Sequence, residues 1–425
     1  MSKLAKPAIL GGDKAVTIDQ TEANRYPIFT REDETAVLEV LRSGNLSLHP
    51  VTRELENDYR ERFGVRHALA HCNGTAALMA SFFALNLQPG DEVIVPTATF
   101  WASVTPMLWM GAIPVFAESE QVRLGLDPQD VESKITPRTR AIVVVHLFGM
   151  PSRMTELYEI AQKYNLKIIE DASHAHGAVW RGRQCGTLGD VSVFSLQTDK
   201  LAPAGEGGIL LTNDDEIYER AVCLGDMLRM MELPTETQYL AATTFGMKTR
   251  MASLSAAIGR VQLKKLDENN KRRNDNLIYL SQKLEQLGLH TFLPPEHVSR
   301  VYFEYMIRYD AEKSGMPLSL LIEALTAEGC TVSTPRYPLL HQQPFFTHGL
   351  WKSVARLDDS IELPTYKPNA LPRTEAANQE LIKLPVFPNA NQDLLDQYVL
   401  AFGKVLSHAE EITARSEFKL QFAND

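Results

Sequence analysis

Short runs of apolar and β-branched residues alternate with amphipathic stretches between about residues 30 and 250. This alternation predicts repeated β-α-β units, and therefore a mostly parallel sheet with helices on both faces. The predicted strands comprise residues 92–96, 113–116, 141–146, 166–170, 191–195 and 208–212. Because ligands of such sheets bind at the carboxyl ends of the strands, we expect the functional residues to follow these runs.

The pattern changes after residue 250. Apolar residues at helical spacing predict one long helix from residue 250 to about 287, which leads into a second domain. Further on, the pattern predicts strands, a helix, a Pro- and His-rich stretch and a final helix, at 302–309, 318–328, 334–346 and after Asn391. The 425-residue chain is too long for one small core. We predict a large domain with an N-terminal arm (1–260) and a smaller α+β domain (261–425).

The composition is that of an ordinary globular protein. Hydrophobic residues make up 44% and charged residues 23% of the chain, which leaves no room for a long disordered region. The net charge is −10, and no run of Lys or Arg is present that would follow a phosphate backbone. We therefore expect no nucleic-acid partner.

The cysteines and the amino terminus bear on the location of the protein. The four cysteines are widely spaced and form no CxxC pair, which argues against a disulfide framework and against a zinc site. Residues 1–20 lack the apolar core of an export signal, and no run of about eighteen apolar residues occurs. We expect a cytoplasmic protein that binds no metal and does not enter a membrane.

Two residues are candidates for catalysis. Asp171 follows an apolar run and is predicted at the carboxyl end of a strand, although an Asp in this position also suits a helix N-cap. Lys200 lies between two apolar strands in a loop of small residues, whereas an isolated lysine is usually a solvated surface charge. An amine and a carboxylate together suit pyridoxal phosphate (PLP), since the amine holds its aldehyde and the carboxylate keeps its pyridine nitrogen protonated.

A third motif offers a place for the phosphate of such a cofactor. In residues 73–78 a Gly turn precedes a helical stretch, which presents backbone N–H groups and a hydroxyl at a helix N-terminus. Gly-Thr also opens many helices that bind nothing, so the motif is weak alone. Ser195, five residues before Lys200, offers a second hydroxyl to the same phosphate.

In their order and spacing, these motifs resemble the DegT/StrS family of sugar aminotransferases, which act on keto-sugars and cyclitols and are fold-type I PLP enzymes. The resemblance extends from about residue 8 to 405. It rests on residues 72–78, 95–100, 145–149, 170–178, 189–190, 194–200, 205–208, 250–263 and 336–341. It implies a seven-stranded, mostly parallel sheet in the large domain.

The resemblance also implies a role for each matching residue. Lys200 matches the lysine that forms a Schiff base with PLP, and Asp171 matches the partner of the pyridine nitrogen. Gly74, Thr75 and Ser195 match the contacts to the cofactor phosphate.

Further residues match positions beside the cofactor. Phe100 matches an aromatic ring that stacks on it, the alternative being a core phenylalanine. His174 matches a Gln or His near its 3-hydroxyl, whereas we expect His176, beside Gly177, to be structural.

The substrate and the second subunit are implied in the same way. Arg336, Tyr337 and His341 fall in a loop that lines the substrate entrance in relatives, and their side chains suit phosphates, carboxylates and hydroxyls. Lys248 stands where many relatives place an Asn that reaches the cofactor phosphate of the neighbouring subunit. If Lys248 makes that contact and is not simply a surface lysine, the protein is a homodimer with shared active sites.

The function that follows is transamination in amino-sugar or natural-product biosynthesis. An amino acid, glutamate or glutamine, converts PLP to pyridoxamine phosphate (PMP), and a keto-sugar, favoured as nucleotide-linked, then accepts the amine. A cyclitol ketone of the scyllo-inosose type is the alternative acceptor. A dehydratase is a rival, but relatives with that chemistry replace the lysine with His. A regulatory protein without turnover is a second rival, which Lys200 and Asp171 make improbable.

Overall fold

The computed structural model describes residues 4–234, 236, 247–358 and 361–422. The strands, β1 to β12, are His67–His71, Glu92–Pro96, Ile113–Ala117, Thr139–Val145, Lys167–Asp171, Val179–Trp180, Arg183–Gln184, Val191–Ser195, Gly208–Thr212, Val298–Ser299, Tyr305–Arg308 and Leu381–Leu384. The helices, α1 to α15, are Arg31–Ser43, Val51–Phe63, Gly74–Ala84, Pro128–Ser133, Met154–Lys163, Asp215–Gly225, Met227–Met230, Ser253–Gln286, Ala311–Ser314, Leu318–Ala327, Pro344–Thr347, Trp351–Ala355, Pro372–Gln379, Gln392–Ser407 and Ala409–Phe422. Short 3-10 helices comprise Ala8–Leu10, Trp101–Ser103, Thr105–Met110, Leu147–Gly149 and Leu340–Gln342.

Seven strands form the central sheet, in the order β1-β9-β8-β5-β4-β2-β3. The neighbours from β8 to β3 are parallel, whereas β9 is antiparallel to both β1 and β8. This arrangement confirms the mostly parallel sheet and its seven strands. The observed bounds of β2, β8 and β9 agree with the prediction, while β4 begins two residues before the predicted residue 141. Strand β1 was not predicted.

The sheet is buried on both faces because helices cover it. Every residue of β2 and of β9 is buried, which is typical of strands in a covered parallel sheet. Helix α3 packs against α6 and against strands β8 and β9. Helices α1 and α2 pack against α8, the long helix that the apolar spacing predicted.

Buried apolar residues form two clusters. The larger surrounds the central sheet and includes residues from Val40 to Leu381. The smaller joins the second half of α8 to the C-terminal elements and includes Leu10 and Val16 of the N-terminal arm. The predicted division at residue 260 falls within α8, and the two-domain boundary stays a prediction.

Two small sheets accompany the central one, a three-stranded sheet in the order β10-β6-β7 and a two-stranded sheet of β11 and β12. β11 pairs with β12, and β10 pairs with β6, both antiparallel. The predicted strand over 302–309 is shorter in the structure and begins at Tyr305. Among the described residues, no helix combines the length and the apolar character needed to cross a membrane.

The topology brings three chain segments to one edge of the sheet. β5 and β8 are parallel neighbours, and Asp171 at the end of β5 pairs with Val193 of β8. Lys200 follows β8 after a short turn, and Lys200 N–H donates to the Gln197 carbonyl. Helix α3 begins directly after β1, which is two strands from β8. The loops that follow these strands therefore meet at one site.

Candidate active site

A cavity of about 390 Å³ opens at this edge of the sheet. Most of the residues that the sequence predicted for the site line it. They are Gly74, Thr75, Phe100, Asp171, His174, Ser195, Lys200, Arg336 and Tyr337. The other lining residues are Asn73, Leu78, Thr99, Ala102, Val145, Ser173, Gln197, Asp199 and Glu206.

Lys200 is a buried amine and not a solvated surface charge. The residue is 9% exposed, and Nζ lies 4.0 Å from the centroid of the Phe303 ring. Burial lowers the pKa of Lys200 to about 8; Asp171 opposes this shift and Arg336 adds to it. A substantial fraction of the amine is therefore neutral and nucleophilic near physiological pH.

Asp171 is held at the cavity wall by two hydrogen bonds. Ser103 Oγ donates to Asp171 Oδ2 over 2.6 Å, and the backbone N–H of Ser173 donates to Oδ1 over 3.1 Å. Ser103 Oγ also lies 2.8 Å from the Thr99 hydroxyl. The carboxylate ends β5 and lines the cavity, so it is not the N-cap of a helix. It is placed to face a ligand.

The N-terminus of α3 packs so closely against the neighbouring backbone that no side chain fits at Gly74 or Gly208. The side chain of Asn73 caps the helix by accepting a hydrogen bond from Ala76 N–H over 2.8 Å. A Cβ added to Gly74 would lie 2.9 Å from the Cβ of Ser195, and one added to Gly208 would lie 2.4 Å from the Asn73 carbonyl oxygen. Glycine lets the helix start approach β8, so that Ser195 and Thr75 line the same end of the cavity. An anion is the ligand that such a helix start favours.

His174 offers a polar atom that has no protein partner. Its ring stacks on that of Phe303 with centroids 4.0 Å apart, and Nε2 lies 3.3 Å from the Tyr337 hydroxyl. Nδ1 is buried and, in the described part of the chain, has no hydrogen-bond partner. Burial, with Lys200 and Arg336 nearby, holds the pKa of His174 well below its ordinary value, so the ring is neutral. A ligand hydroxyl would complete its hydrogen bonding.

Phe100 is a cavity residue and not a core residue. The residue is 43% exposed, and its ring contacts Trp101 and Tyr337 at centroid distances of 5.0 and 6.3 Å. One part of the ring is therefore free to stack on a planar ligand.

Two predicted site residues lie outside the cavity. His341 is buried, with Nδ1 2.7 Å from the Thr97 hydroxyl and Nε2 2.9 Å from Glu375 Oε1. Both ring nitrogens are thereby engaged, so His341 supports the loop that carries Arg336 and does not face a substrate in this structure. Lys248 is exposed and does not line the cavity of its own chain.

Other neighbours of the site were not found from the sequence. Phe303 lies in a segment that was predicted as a strand, and Ser103 lies in a 3-10 helix that carries no motif. Their roles depend on contacts with residues about 70 to 130 positions away. A turn position for His176 was expected, and this residue is buried with Nε2 3.1 Å from the Tyr59 hydroxyl.

One group of side chains has the composition of a metal site. His146, Glu170 and Cys185 lie within reach of one another and are fully buried. The Glu170 carboxylate accepts hydrogen bonds from His146 Nε2 and Ser192 Oγ and from three backbone N–H groups of residues 186–189. These donors saturate the carboxylate, so the group serves the fold beside Asp171.

Comparison with known proteins identifies the family. The family model for DegT/DnrJ/EryC1/StrS aminotransferases matches residues 27–402. The chain belongs to this family. Its members require PLP, so this chain is a PLP-dependent aminotransferase, as the resemblance implied.

Relatives and solved structures support this assignment over most of the chain. The L-glutamine:2-deoxy-scyllo-inosose aminotransferase of Streptomyces kanamyceticus is 36% identical over 73% of this chain and 76% of its own. The GDP-perosamine synthase of Caulobacter vibrioides is 35% identical over 74% of this chain and 84% of its own. The crystal structure of DesI with its TDP-sugar product matches 97% of this chain and 99% of its own, with a TM-score of 0.79 and 28% identity.

The residues present in the cavity fit the cofactor that the family uses. The helix start at Gly74 suits its phosphate, the Asp171 carboxylate suits its pyridine nitrogen and the Lys200 amine suits its aldehyde. The unpartnered Nδ1 of His174 suits its ring hydroxyl. Each of the four functional groups of the cofactor thus has a chemically suitable partner in one cavity.

Proposed function

We propose that this aminotransferase moves the amino group of glutamine or glutamate onto a ketone carbon of a sugar or a cyclitol. One observation carries the proposal: the Lys200 amine and the Asp171 carboxylate line one cavity together with the helix start at Gly74. A dehydratase of this family would be expected to lack Lys200. A ligand-binding protein without turnover would not require an amine whose pKa is lowered to about 8.

Each residue contributes a distinct step to this reaction. When bound, PLP supplies the electron-withdrawing ring that the proton transfers require. Asp171 would stabilise the positive charge on the ring nitrogen, and Gly74, Thr75 and Ser195 would hold the phosphate. Lys200 would hold the cofactor, and once its amine is free, Nζ would take up the proton that leaves the donor's α-carbon and return it within the site, not to solvent, which the lowered pKa of Lys200 favours.

Two acceptors are compatible with the cavity and differ in charge. A nucleotide-linked keto-sugar is supported by the similarity to the Caulobacter synthase and to DesI. A cyclitol ketone is supported by the similarity to the Streptomyces inosose aminotransferase.

The charge of the cavity favours the cyclitol. Within the described residues, its cationic side chains are Lys200 and Arg336, and Arg336 already contacts the carboxylates of Asp199 and Glu304. Asp171 and Glu206 add further negative charge. A nucleotide diphosphate would therefore meet two cations from this chain beside a larger number of carboxylates, whereas an uncharged cyclitol needs no cation.

We further propose a homodimer in the cytoplasm. Trp101 follows the cavity residue Phe100 and its ring is largely exposed, and an exposed apolar ring beside a site is typical of subunit contacts. The exposed Lys248 would contact the cofactor phosphate bound by the neighbouring chain. The free thiols of Cys72, Cys185 and Cys330 are in keeping with a reducing compartment.

The test is spectroscopic. The purified protein with bound PLP is mixed with glutamine or glutamate, and we expect its visible absorbance to bleach and then to return when an acceptor is added. Keto-sugars with and without a nucleotide, and scyllo-inosose compounds, are compared as acceptors. An absorbance that responds to neither donor would contradict the proposed transamination, and recovery with nucleotide-linked sugars alone would contradict the preference for a cyclitol.

A further inference from the structure

Arg336 lies between two carboxylates that hold it in different ways. Its Nε is 2.8 Å from Glu304 Oε1, and its Nη1 is 3.4 Å from Asp199 Oδ2. Glu304 Oε1 also accepts a hydrogen bond from Lys383 Nζ over 2.7 Å. The negative charge of Glu304 is thus matched by Lys383, and the positive charge of Arg336 is matched by Asp199.

The two contacts of Arg336 differ in how easily a ligand could replace the carboxylate. The Glu304 side chain is 3% exposed, so this carboxylate and Lys383 form a fixed base for the guanidinium. The Asp199 side chain is 53% exposed, and its contact is at the long limit of a hydrogen bond. Exposed pairs of this kind contribute little free energy, so a ligand carboxylate can take the place of Asp199 without a change in net charge.

The position of Arg336 fits a carboxylate that is close to the reacting nitrogen. Lys200 Nζ and Arg336 Cζ lie 4.0 and 5.8 Å from the centroid of one ring, that of Phe303. An α-amino acid carries its carboxylate one carbon from its amine, so Arg336, which is near enough to Lys200 to lower its pKa, is suitably placed for that carboxylate. The phosphates of a nucleotide sugar are separated from the ketone carbon by part of the sugar ring, and they fit this position less well.

We propose that Arg336 binds the α-carboxylate of the amino-acid donor and that Asp199 is the internal carboxylate which the donor displaces. The inference rests on the proposed function, because it assigns one of the two substrates of that reaction to a residue. Glu304 and Lys383 are positioning residues that aim the guanidinium. Arginine suits the task, since its planar group accepts a carboxylate with two parallel hydrogen bonds.

The first experiment measures the donor half-reaction of the protein with bound PLP. The rate of bleaching is followed against glutamine and glutamate concentration, which separates the donor Kd from the limiting rate. We expect Arg336→Gln to raise the donor Kd roughly ten-fold to a hundred-fold, as the loss of a charge-assisted pair predicts, and Arg336→Lys to restore part of it. Asp199→Asn should lower the donor Kd by about two-fold to five-fold, since the competing carboxylate is gone.

The matched control is Arg66→Gln, which removes another exposed arginine that pairs with an exposed aspartate, Asp215. We expect this variant to leave the donor Kd unchanged. An unchanged Kd in Arg336→Gln, or a weaker donor in Asp199→Asn, would overturn the inference.

The second experiment needs no turnover. Binding of glutaramate, which is glutamine without its amino group, is compared by calorimetry with binding of the uncharged glutaramide. The wild type should prefer glutaramate, and Arg336→Gln should lose that preference while its near-UV circular dichroism stays native. If the wild type bleaches with neither donor, the proposed function fails, whereas equal preference in wild type and Arg336→Gln refutes only the role of Arg336.

Discussion

The amine of Lys200 contacts the ring of Phe303, and its charged neighbours are Asp171, Arg336, Glu304 and Asp199. The sequence predicted the lysine and the aspartate because each follows a buried strand. It did not predict Phe303, because this residue precedes β11 by two positions and its partners, Lys200 and His174, are more than a hundred residues earlier. The catalytic candidates were thus predictable from the sequence, whereas the side chains that pack around them were not.

The pKa of Lys200 can be measured directly. The cofactor-free protein is labelled with acetic anhydride at a series of pH values, and labelling of each lysine is quantified by mass spectrometry. Burial lowers the pKa of Lys200 to about 8, so its labelling should rise with a midpoint near that pH. Lys163 is the control, because its hydrogen bond to Glu132 raises the pKa of that exposed amine. A midpoint for Lys200 as high as that of Lys163 would contradict the assigned environment.

Asp171 should matter through its charge. Asp171→Asn keeps the shape of the side chain but removes the negative charge that holds the ring nitrogen protonated, so turnover should fall at least about a hundred-fold while the visible absorbance of the bound cofactor remains. Ser103→Ala removes only the 2.6 Å hydrogen bond to the carboxylate and should lower turnover about ten-fold. Ser133→Ala, which removes an exposed hydroxyl on α4, is the control. Near-normal turnover in Asp171→Asn would place the required carboxylate elsewhere.

At the scale of elements, the site depends on the start of α3 lying against β8. The predicted strand bounds of β8 and β9 agree with the structure because β8 is rich in Val and Phe and follows the turn residues Gly189 and Asp190, while β9 is an apolar run that ends before Asn213. The contact between Gly74 and Ser195 could not be derived in the same way, since local propensity says nothing of which strand a helix start approaches. The glycine itself was the only local signal.

Gly74→Ala tests this contact. The added Cβ would lie 2.9 Å from the Ser195 Cβ, so the helix start must move away from the strand and loosen the phosphate cradle. We expect the Kd for PLP, measured by absorbance titration of the cofactor-free protein, to rise about ten-fold or more. Gly403→Ala is the control, because its new Cβ meets only the end of the flexible Leu4 side chain at the same distance. An unchanged Kd in Gly74→Ala would show that the phosphate binds elsewhere.

At the scale of the whole molecule, the two apolar clusters do not follow the chain in order. Leu10 and Val16 of the N-terminal arm pack with the C-terminal cluster, whereas Trp351 and Tyr366 pack with the cluster around the sheet. A sequence pattern predicts which residues are buried but not which core they join, so the division at residue 260 could only follow the change in periodicity. The same limit applies to the second subunit, which the sequence indicated only through the resemblance at Lys248.

The shared site can be tested with two inactive variants. Lys200→Ala removes the amine from one chain, and Lys248→Glu places a negative charge where the other chain should contact the cofactor phosphate. In a mixed dimer both lesions fall in one site and leave the other site intact, because the amine and Lys248 of each site come from opposite chains. We therefore expect mixed dimers to recover turnover that neither homodimer shows, once subunit exchange has been verified by mass spectrometry of tagged chains. The recovered turnover should not depend on which of the two homodimers is added to the other. If verified mixed dimers stay inactive, Lys248 and Lys200 do not belong to opposite chains at one site, and each chain must complete its own site.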